Sequence, residues 1–258
     1  MYTVSNKLKI GSFILMAVGL LGIAIGFIGA PGTVEEAKAI VASHDDGHGG
    51  GHGAADAHAP AAGHGDAADA HGEAHDASHD EHLLHQLQNK PWAALYVGAF
   101  FFFMISLGVL AFYAIQRAAQ AGWSPLLFRV MEGITSYLVP GGIIVFVILV
   151  LSVMHMNHLF VWMDADVVAH DELIQGKVGY LNPTFFLIRA AIFLGGWIFY
   201  REYSRKLSLR QDESDDNSNF KLNFRWSAGF LVFYLVSESM MSWDWIMSVD
   251  PHWFSTLF

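Results

Sequence analysis

Long apolar runs, broken by short polar connections, dominate the chain. Five of them predict helices: roughly Ile10–Ala30, Trp92–Ile115, Ile134–Met154, Pro183–Tyr200 and Trp226–Met247. A hydrocarbon core about 30 Å thick needs roughly 20 apolar helical residues, and each run is near that length. The pattern predicts an all-α, polytopic membrane protein with five spans. Residues 1–30 form an N-terminal anchor helix, and 31–88 a His/Asp/Gly/Ala-rich outer loop. Residues 89–258 form an up-down four-helix transmembrane bundle, because the connections between their spans are short.

The charges sort by side and set the orientation. Of 14 Lys and Arg, ten lie on one side: Lys7, Lys9, Arg117, Arg129, Arg201, Arg205, Lys206, Arg210, Lys221 and Arg225. Lys38, Lys90 and Lys177 lie on the other, and Arg189 falls within a span. The positive-inside rule then puts the N-terminus in the cytoplasm and residues 31–91 and 156–182 outside, which is the periplasm if the membrane is a bacterial inner membrane. The first run also reads as a cleaved signal, but it exceeds the usual 7–15-residue apolar region and lacks an Ala-x-Ala site. The net charge of −10 resides mostly in the outer loops and gives no sign of nucleic-acid binding. The chain has no Cys, which excludes disulfides, Cys-ligated iron–sulfur clusters and thioether-linked haem c within it.

Residues 43–85 hold 10 of the 14 His among Ala, Gly and Asp, with no aromatic residue. Such a segment cannot bury a core, and little order is expected between about Ser43 and His79. His44, His48 and His52, then His71, His75, His79 and His82, have spacings that a metal could exploit on a helix. The glycines of 47–53 oppose a helix in the first half. A solvating loop whose charge changes near pH 6–7 is the plainer reading, so no metal ligand is assigned.

Ionisable residues inside spans are costly and are functional candidates by default. Arg189 lies about 9 Å past Pro183, and Asp244 about 10 Å from Pro251 on an antiparallel span. Matched depth predicts that they pair. Glu238, about 19 Å from Pro251, is left near mid-membrane, with Ser242 and Trp245 on its own helix face. Glu132 and Ser136 are spaced i, i+4 near the opposite end of the third span. Pro140-Gly141-Gly142 follow and predict a kink whose freed carbonyls could bind water. These residues form a candidate proton path: Glu132, Ser136, Glu238, Asp244 and Arg189. His155 and His158 end the third span. With His252 in a loop, they supply no facing pair of axial ligands for a b-haem. No P-loop, nucleophile elbow or dinucleotide-binding glycine pattern is present, and no catalytic residue is assigned.

The fifth run and its exit, Ser242-Trp243-Asp244-Trp245-Ile246-Met247-Ser248-Val249-Asp250-Pro251-His252-Trp253-Phe254, carry a family resemblance. So do Asn89-Lys90-Pro91-Trp92 and Arg129-Val130-Met131-Glu132-Gly133-Ile134. The chain resembles the ActF family of alternative complex III, the bacterial quinol:electron-acceptor oxidoreductase, within the NrfD/PsrC-like membrane proteins. That family has two four-helix bundles between flanking helices. This sequence, ending at Ser255-Thr256-Leu257-Phe258, matches the first helix and first bundle. The resemblance implies a cofactor-free component, with iron–sulfur clusters and haem c on partner subunits. The implied partners are the other membrane and periplasmic subunits of the complex, the lipid bilayer, and menaquinol or ubiquinol.

Three readings remain open at this stage. One is a scaffold with a proton-transfer path. Another is quinone binding near the outer leaflet through His155, His158, Asp244 and Trp243. The third is a metal-binding transporter or sensor fed by the His-rich tract. Deletion of residues 44–85 separates them: it abolishes a metal-dependent function and spares quinol oxidation, as measured on membranes from the deletion strain.

Overall fold

The computed structural model describes residues 5–45 and 70–253. His48, His52 and Ser255-Thr256-Leu257-Phe258 lie outside the described residues, as do the side chains of His44, His71, His75, His79 and His82. The described residues form helices throughout: α1 (Asn6–Ile28), α2 (Val34–Asp45), α3 (Ala70–Ala118), α4 (Pro125–Ile134), α5 (Leu138–Val153), α6 (Ala165–His170), α7 (Glu172–Gln175), α8 (Pro183–Asp212) and α9 (Ser218–Met241). Short 3-10 turns cover Thr135–Tyr137, Val161–Met163 and Met247–Val249, and a π-helical turn covers Ser242–Ile246.

Four of these stretches are long and apolar enough to cross a membrane: Asn6–Ile28, Leu84–Ala118, Pro125–Val153 and Pro183–Asp212. They are consistent with a multi-pass membrane protein. The fifth predicted run differs. α9 has 24 residues, but Ser227, Ser237, Glu238 and Ser239 lower its hydropathy, and it is not among those four. Ser227 and Ser237 are buried against neighbouring helices, where each finds a hydrogen-bond partner.

The outer segment also differs from expectation. α2 runs to Asp45, and α3 begins at Ala70, so both flanks of the His-rich tract are helical. From Glu73 to Lys90 the sequence has no Gly or Pro and is rich in Ala, Glu, Gln and Leu, which favour helix. Pro91 therefore lies inside α3 rather than in the first turn of a span.

The chain divides into two compact units, Met1–Ala93 and Ala94–Phe258. In the first, Gln88 Nε2 donates to the Pro31 carbonyl at 3.1 Å, and Phe27 meets Trp92 edge to face at 4.8 Å. Gly26 faces Pro91 here, and a Cβ added at this position would make an ordinary 3.7 Å contact with it.

In the second unit, α8 packs along both α5 and α9. Its centre is aromatic: Phe103, Trp197 and Trp245 are fully buried, with ring centroids 6.1–6.2 Å apart. Trp197 satisfies its indole N–H on Ser237 Oγ at 2.9 Å.

Pro140, where a kink is expected, lies inside α5, and a change of helix type comes just before that helix. Pro140 has no N–H for the residue 136 carbonyl, and the 3-10 turn Thr135–Tyr137 separates α4 from α5. Hydroxyls take the carbonyls around the break: Ser106 donates to Ile134 at 3.2 Å, Thr135 to Glu132 at 3.0 Å and Ser136 to Gly133 at 2.6 Å.

Gly142 sets how close α5 and α8 come, because a Cβ there would lie 3.1 Å from Leu194 Cδ2. Gly142→Leu overpacks this contact and should destabilise the bundle by about 1–3 kcal/mol, read as a lower melting temperature of the protein in detergent.

Candidate functional site

Arg189 and Asp244 form a buried fork. Arg189 Nε donates to Asp244 Oδ2 at 2.6 Å, and Nη2 donates to Oδ1 at 2.8 Å. Asp244 is fully buried, and Arg189 is 3% exposed. A third donor, Nη1, reaches the Tyr180 carbonyl at 3.2 Å. The guanidinium carbon lies 4.0 Å from the Tyr180 ring centroid and 4.4 Å from that of Phe185. A bidentate, ring-stacked geometry of this kind suits Arg and not Lys.

The sequence places these groups by ordinary local rules. Asn182 caps α8 by accepting from the Thr184 and Phe185 amides, and Pro183 occupies the first turn, which fixes Arg189 two turns in. Asp244 sits in the π-helical turn, where the wider pitch lets it and its neighbour Trp245 both point inward. Ser248 Oγ donates to the Asp244 carbonyl, and Tyr96 Oη donates to the Trp245 carbonyl at 2.8 Å. Tyr180 Oη is buried facing the Asp244 carboxylate, and among the described residues it makes no hydrogen bond of good geometry. Burial first, and then the Asp244 carboxylate, hold the Tyr180 phenol above the usual tyrosine range.

A second polar assembly lies toward the Asp212 end of α8. Glu132 is 5% exposed and accepts from Arg129 Nη1 at 2.7 Å and from Tyr113 Oη at 3.2 Å. Arg129 also pairs with Asp212. Arg117 lies 3.9 Å from the Phe128 ring centroid and donates to Tyr113 Oη at 3.1 Å and to Ser208 Oγ at 3.2 Å. Ser204 Oγ is 3.3 Å from Tyr113 Oη and donates to Asn223 Oδ1 at 2.7 Å. Ser227 donates to the Asn223 carbonyl at 2.7 Å, so Tyr200 is the donor in its 2.8 Å contact with Ser227. Polar groups of α3, α4, α8 and α9 thus lie in contact from Asp212 through Glu132 to Tyr200, but Tyr113 and Ser204 give their single hydroxyl hydrogens to Glu132 and Asn223 and do not bond each other.

Glu132 belongs to this assembly, but Ser136 does not: it is exposed and bonds its own helix. Glu238 is half-buried, and among the described residues its carboxylate makes neither an ion pair nor a hydrogen bond. Ser242 donates to the Glu238 backbone carbonyl at 3.1 Å rather than to the carboxylate. The π turn beginning at Ser242 breaks the i, i+4, i+7 face expected for Glu238, Ser242 and Trp245. The proton-path candidates therefore fall into four separate places: Glu132, Ser136, Glu238 and the Arg189–Asp244 fork.

A cavity of about 450 Å³ lies beside the fork, lined in part by Lys177, Tyr180, Trp243, Met247 and Ser248. Trp243 is on its wall, and Asp244 is buried behind it. His155 and His158 are exposed on the turn after α5 and are not on that wall. His155 has φ +57°, a left-handed conformation that ends the helix. His252 Nε2 lies 2.8 Å from Asp171 Oδ2. Among the described residues no group of three His, Cys, Asp or Glu could hold a metal.

Sequence reading missed Tyr113, Arg117, Tyr200, Ser204, Asn223 and Ser227. A signal existed: Tyr200, Ser204 and Ser208 recur at i, i+4, i+8, and Asn223 and Ser227 at i, i+4, each marking one polar helix face. Comparison with known protein families gives no matching family, and comparison with curated proteins gives no match.

Removing one partner of a buried ion pair strands the other, at about 3–5 kcal/mol. Arg189→Gln and Asp244→Asn should each lower folded yield and melting temperature. The apolar double replacement Arg189→Met/Asp244→Leu should be less damaging than either single change. Thermal melts of the three purified variants check this.

Proposed function

We propose that the chain is a cofactor-free integral membrane subunit of a respiratory quinol:electron-acceptor oxidoreductase, serving as scaffold and as part of a proton-transfer path. The observation that carries this reading is the buried Arg189–Asp244 fork between α8 and the turn after α9. Charges inside a spanning bundle are retained where they dock helices or move ions. The resemblance of 242–254, 89–92 and 129–134 to the ActF family of alternative complex III supplies the particular complex. In this reading α9 is the fifth span, the N-terminus is cytoplasmic, and the His-rich segment faces the periplasm. The other membrane and periplasmic subunits of the complex are its partners, and they carry the iron–sulfur clusters and haem c.

Protons enter at Glu132 and Tyr113; rotation of the Ser204 hydroxyl from Asn223 toward Tyr113 Oη, 3.3 Å away, joins these to the polar groups Asn223, Ser227 and Tyr200 further in. Glu238 is eleven residues past Ser227 on α9, about 16 Å further along the helix. Crossing that interval requires water, since Phe230 and Tyr234 occupy the intervening turns.

Quinone binding by this chain is the second reading. The cavity beside the fork favours it, because Trp243, Tyr180 and Lys177 offer an aromatic wall with polar groups. His155 and His158 lie away from that wall and drop out of this version.

Glu238→Gln keeps shape and hydrogen bonding but cannot ionise. The variant should assemble normally and reduce the acceptor in detergent at the parent rate. In sealed vesicles its proton-to-electron ratio should fall below the parent's. An unchanged ratio would reduce Glu238 to a structural role.

A further inference from the structure

Helices α8 and α9 pack along one another and leave a groove open on their outer side near their basic ends. It has a volume of about 480 Å³, within the range of small-molecule sites. Its lining is almost wholly apolar: Phe199, Leu222, Trp226, Phe230 and Phe233 form the walls. Gly229 leaves a notch, since a Cβ added there would meet nothing within 4 Å. The single charged group on the lining is Arg225. Arg225 is exposed, and among the described residues it makes no ion pair. Lys221 is exposed one turn earlier on the same helix face.

The groove also has a level. Trp226 packs against Phe199 at 5.7 Å and Tyr203 at 4.9 Å, so an indole and a phenol lie at the level of Arg225, the residue before Trp226 on α9. Trp and Tyr gather at the headgroup region, where an apolar ring and a polar edge are both served. Below that level the lining is hydrocarbon-like, and above it stand exposed cations. An amphipath with a long apolar tail and an anionic head matches both halves.

We propose that this groove binds an anionic glycerophospholipid, with one acyl chain along Phe230 and the Gly229 notch and the phosphate on Arg225. The proposal rests on reading α9 as a membrane span. It extends that reading by giving the α8–α9 pair a lipid that fills the space between them.

Photo-crosslinking tests it in the intact chain. Benzoylphenylalanine replaces either Leu222, inside the groove, or Leu235, which is 65% exposed on α9 outside it. The protein is placed in nanodiscs of equal phosphatidylglycerol and phosphatidylcholine with identical acyl chains. Adducts at position 222 should favour phosphatidylglycerol about fivefold, the preference expected of one basic side chain at an anionic surface. Adducts at 235 should be near parity. Arg225→Gln should bring the ratio at 222 to parity, and Arg225→Lys should retain a preference. Gly229→Leu, which fills the notch, should lower total lipid adducts at 222. A ratio at 222 equal to that at 235, or one retained in Arg225→Gln, overturns the proposal. Adducts to protein instead of lipid at 222 also overturn it and give the groove to a partner helix. Absence of phospholipid adducts at 235 overturns the span reading of α9, and the lipid site with it.

Discussion

Burying a full positive charge inside a helical bundle constrains everything around it. Arg189 cannot shed its proton, so the fold must answer it with a fixed anion and hydrogen-bond acceptors. Asp244 does this, and the way it does so shapes the end of α9. The helix widens to a π turn at Ser242–Ile246, and Asp244 reaches Arg189 while Trp245 fills the aromatic centre. The altered backbone then takes hydroxyls from Ser248 and Tyr96. One ion pair thereby ties α3, α8 and α9 together around Phe103, Trp197 and Trp245.

That aromatic layer separates two polar regions with different characters. The fork is compact and closed, with three guanidinium donors placed and two rings stacked on the cation. The Asp212-end assembly is extended and built largely from neutral hydroxyls and an amide, which can both donate and accept. Arg189 and Ser204 are fifteen residues apart on α8, about 22 Å. From Ala190 to Phe199 the one polar side-chain group on α8 is the Trp197 indole N–H, held by Ser237. A closed, bidentate fork holds two helices together, whereas the Asp212-end groups spread their contacts over α3, α4, α8 and α9.

α9 is the most serine-rich of the long helices, and its serines explain how it remains in the bundle. Ser227 and Ser237 face inward and meet Tyr200 and Trp197, so their hydroxyls are satisfied by helix neighbours. Glu238, one residue further, turns away from Trp197 and is half-buried at the bundle's edge. Its carboxylate is thus available to whatever lies beside this chain, whether lipid, water or a partner. The groove around Gly229 is on the same helix, so α9 presents both an apolar and an ionisable feature outward.

Part of the fold was legible in the sequence because hydrophobic length is a local property. Four helices long and apolar enough to cross a membrane, and the depth match of Arg189 with Asp244, could each be read from residue spacing. Helix α9 falls outside the four most apolar helices because Arg225, Glu238 and its serines interrupt the run of Phe, Leu and Val around residues 229–236. The outer segment was underestimated, since a His- and Asp-rich composition conceals the helix-favouring stretch from Glu73 to Lys90. What spacing could not decide was which polar residues meet. Tyr113 and Glu132 lie on different helices, as do Arg117 and Ser208, and their contact depends on how α3, α4 and α8 pack. The π turn was likewise invisible. It arises where a helix must satisfy a buried cation and an aromatic core at once, and that demand exists only after the helices have come together.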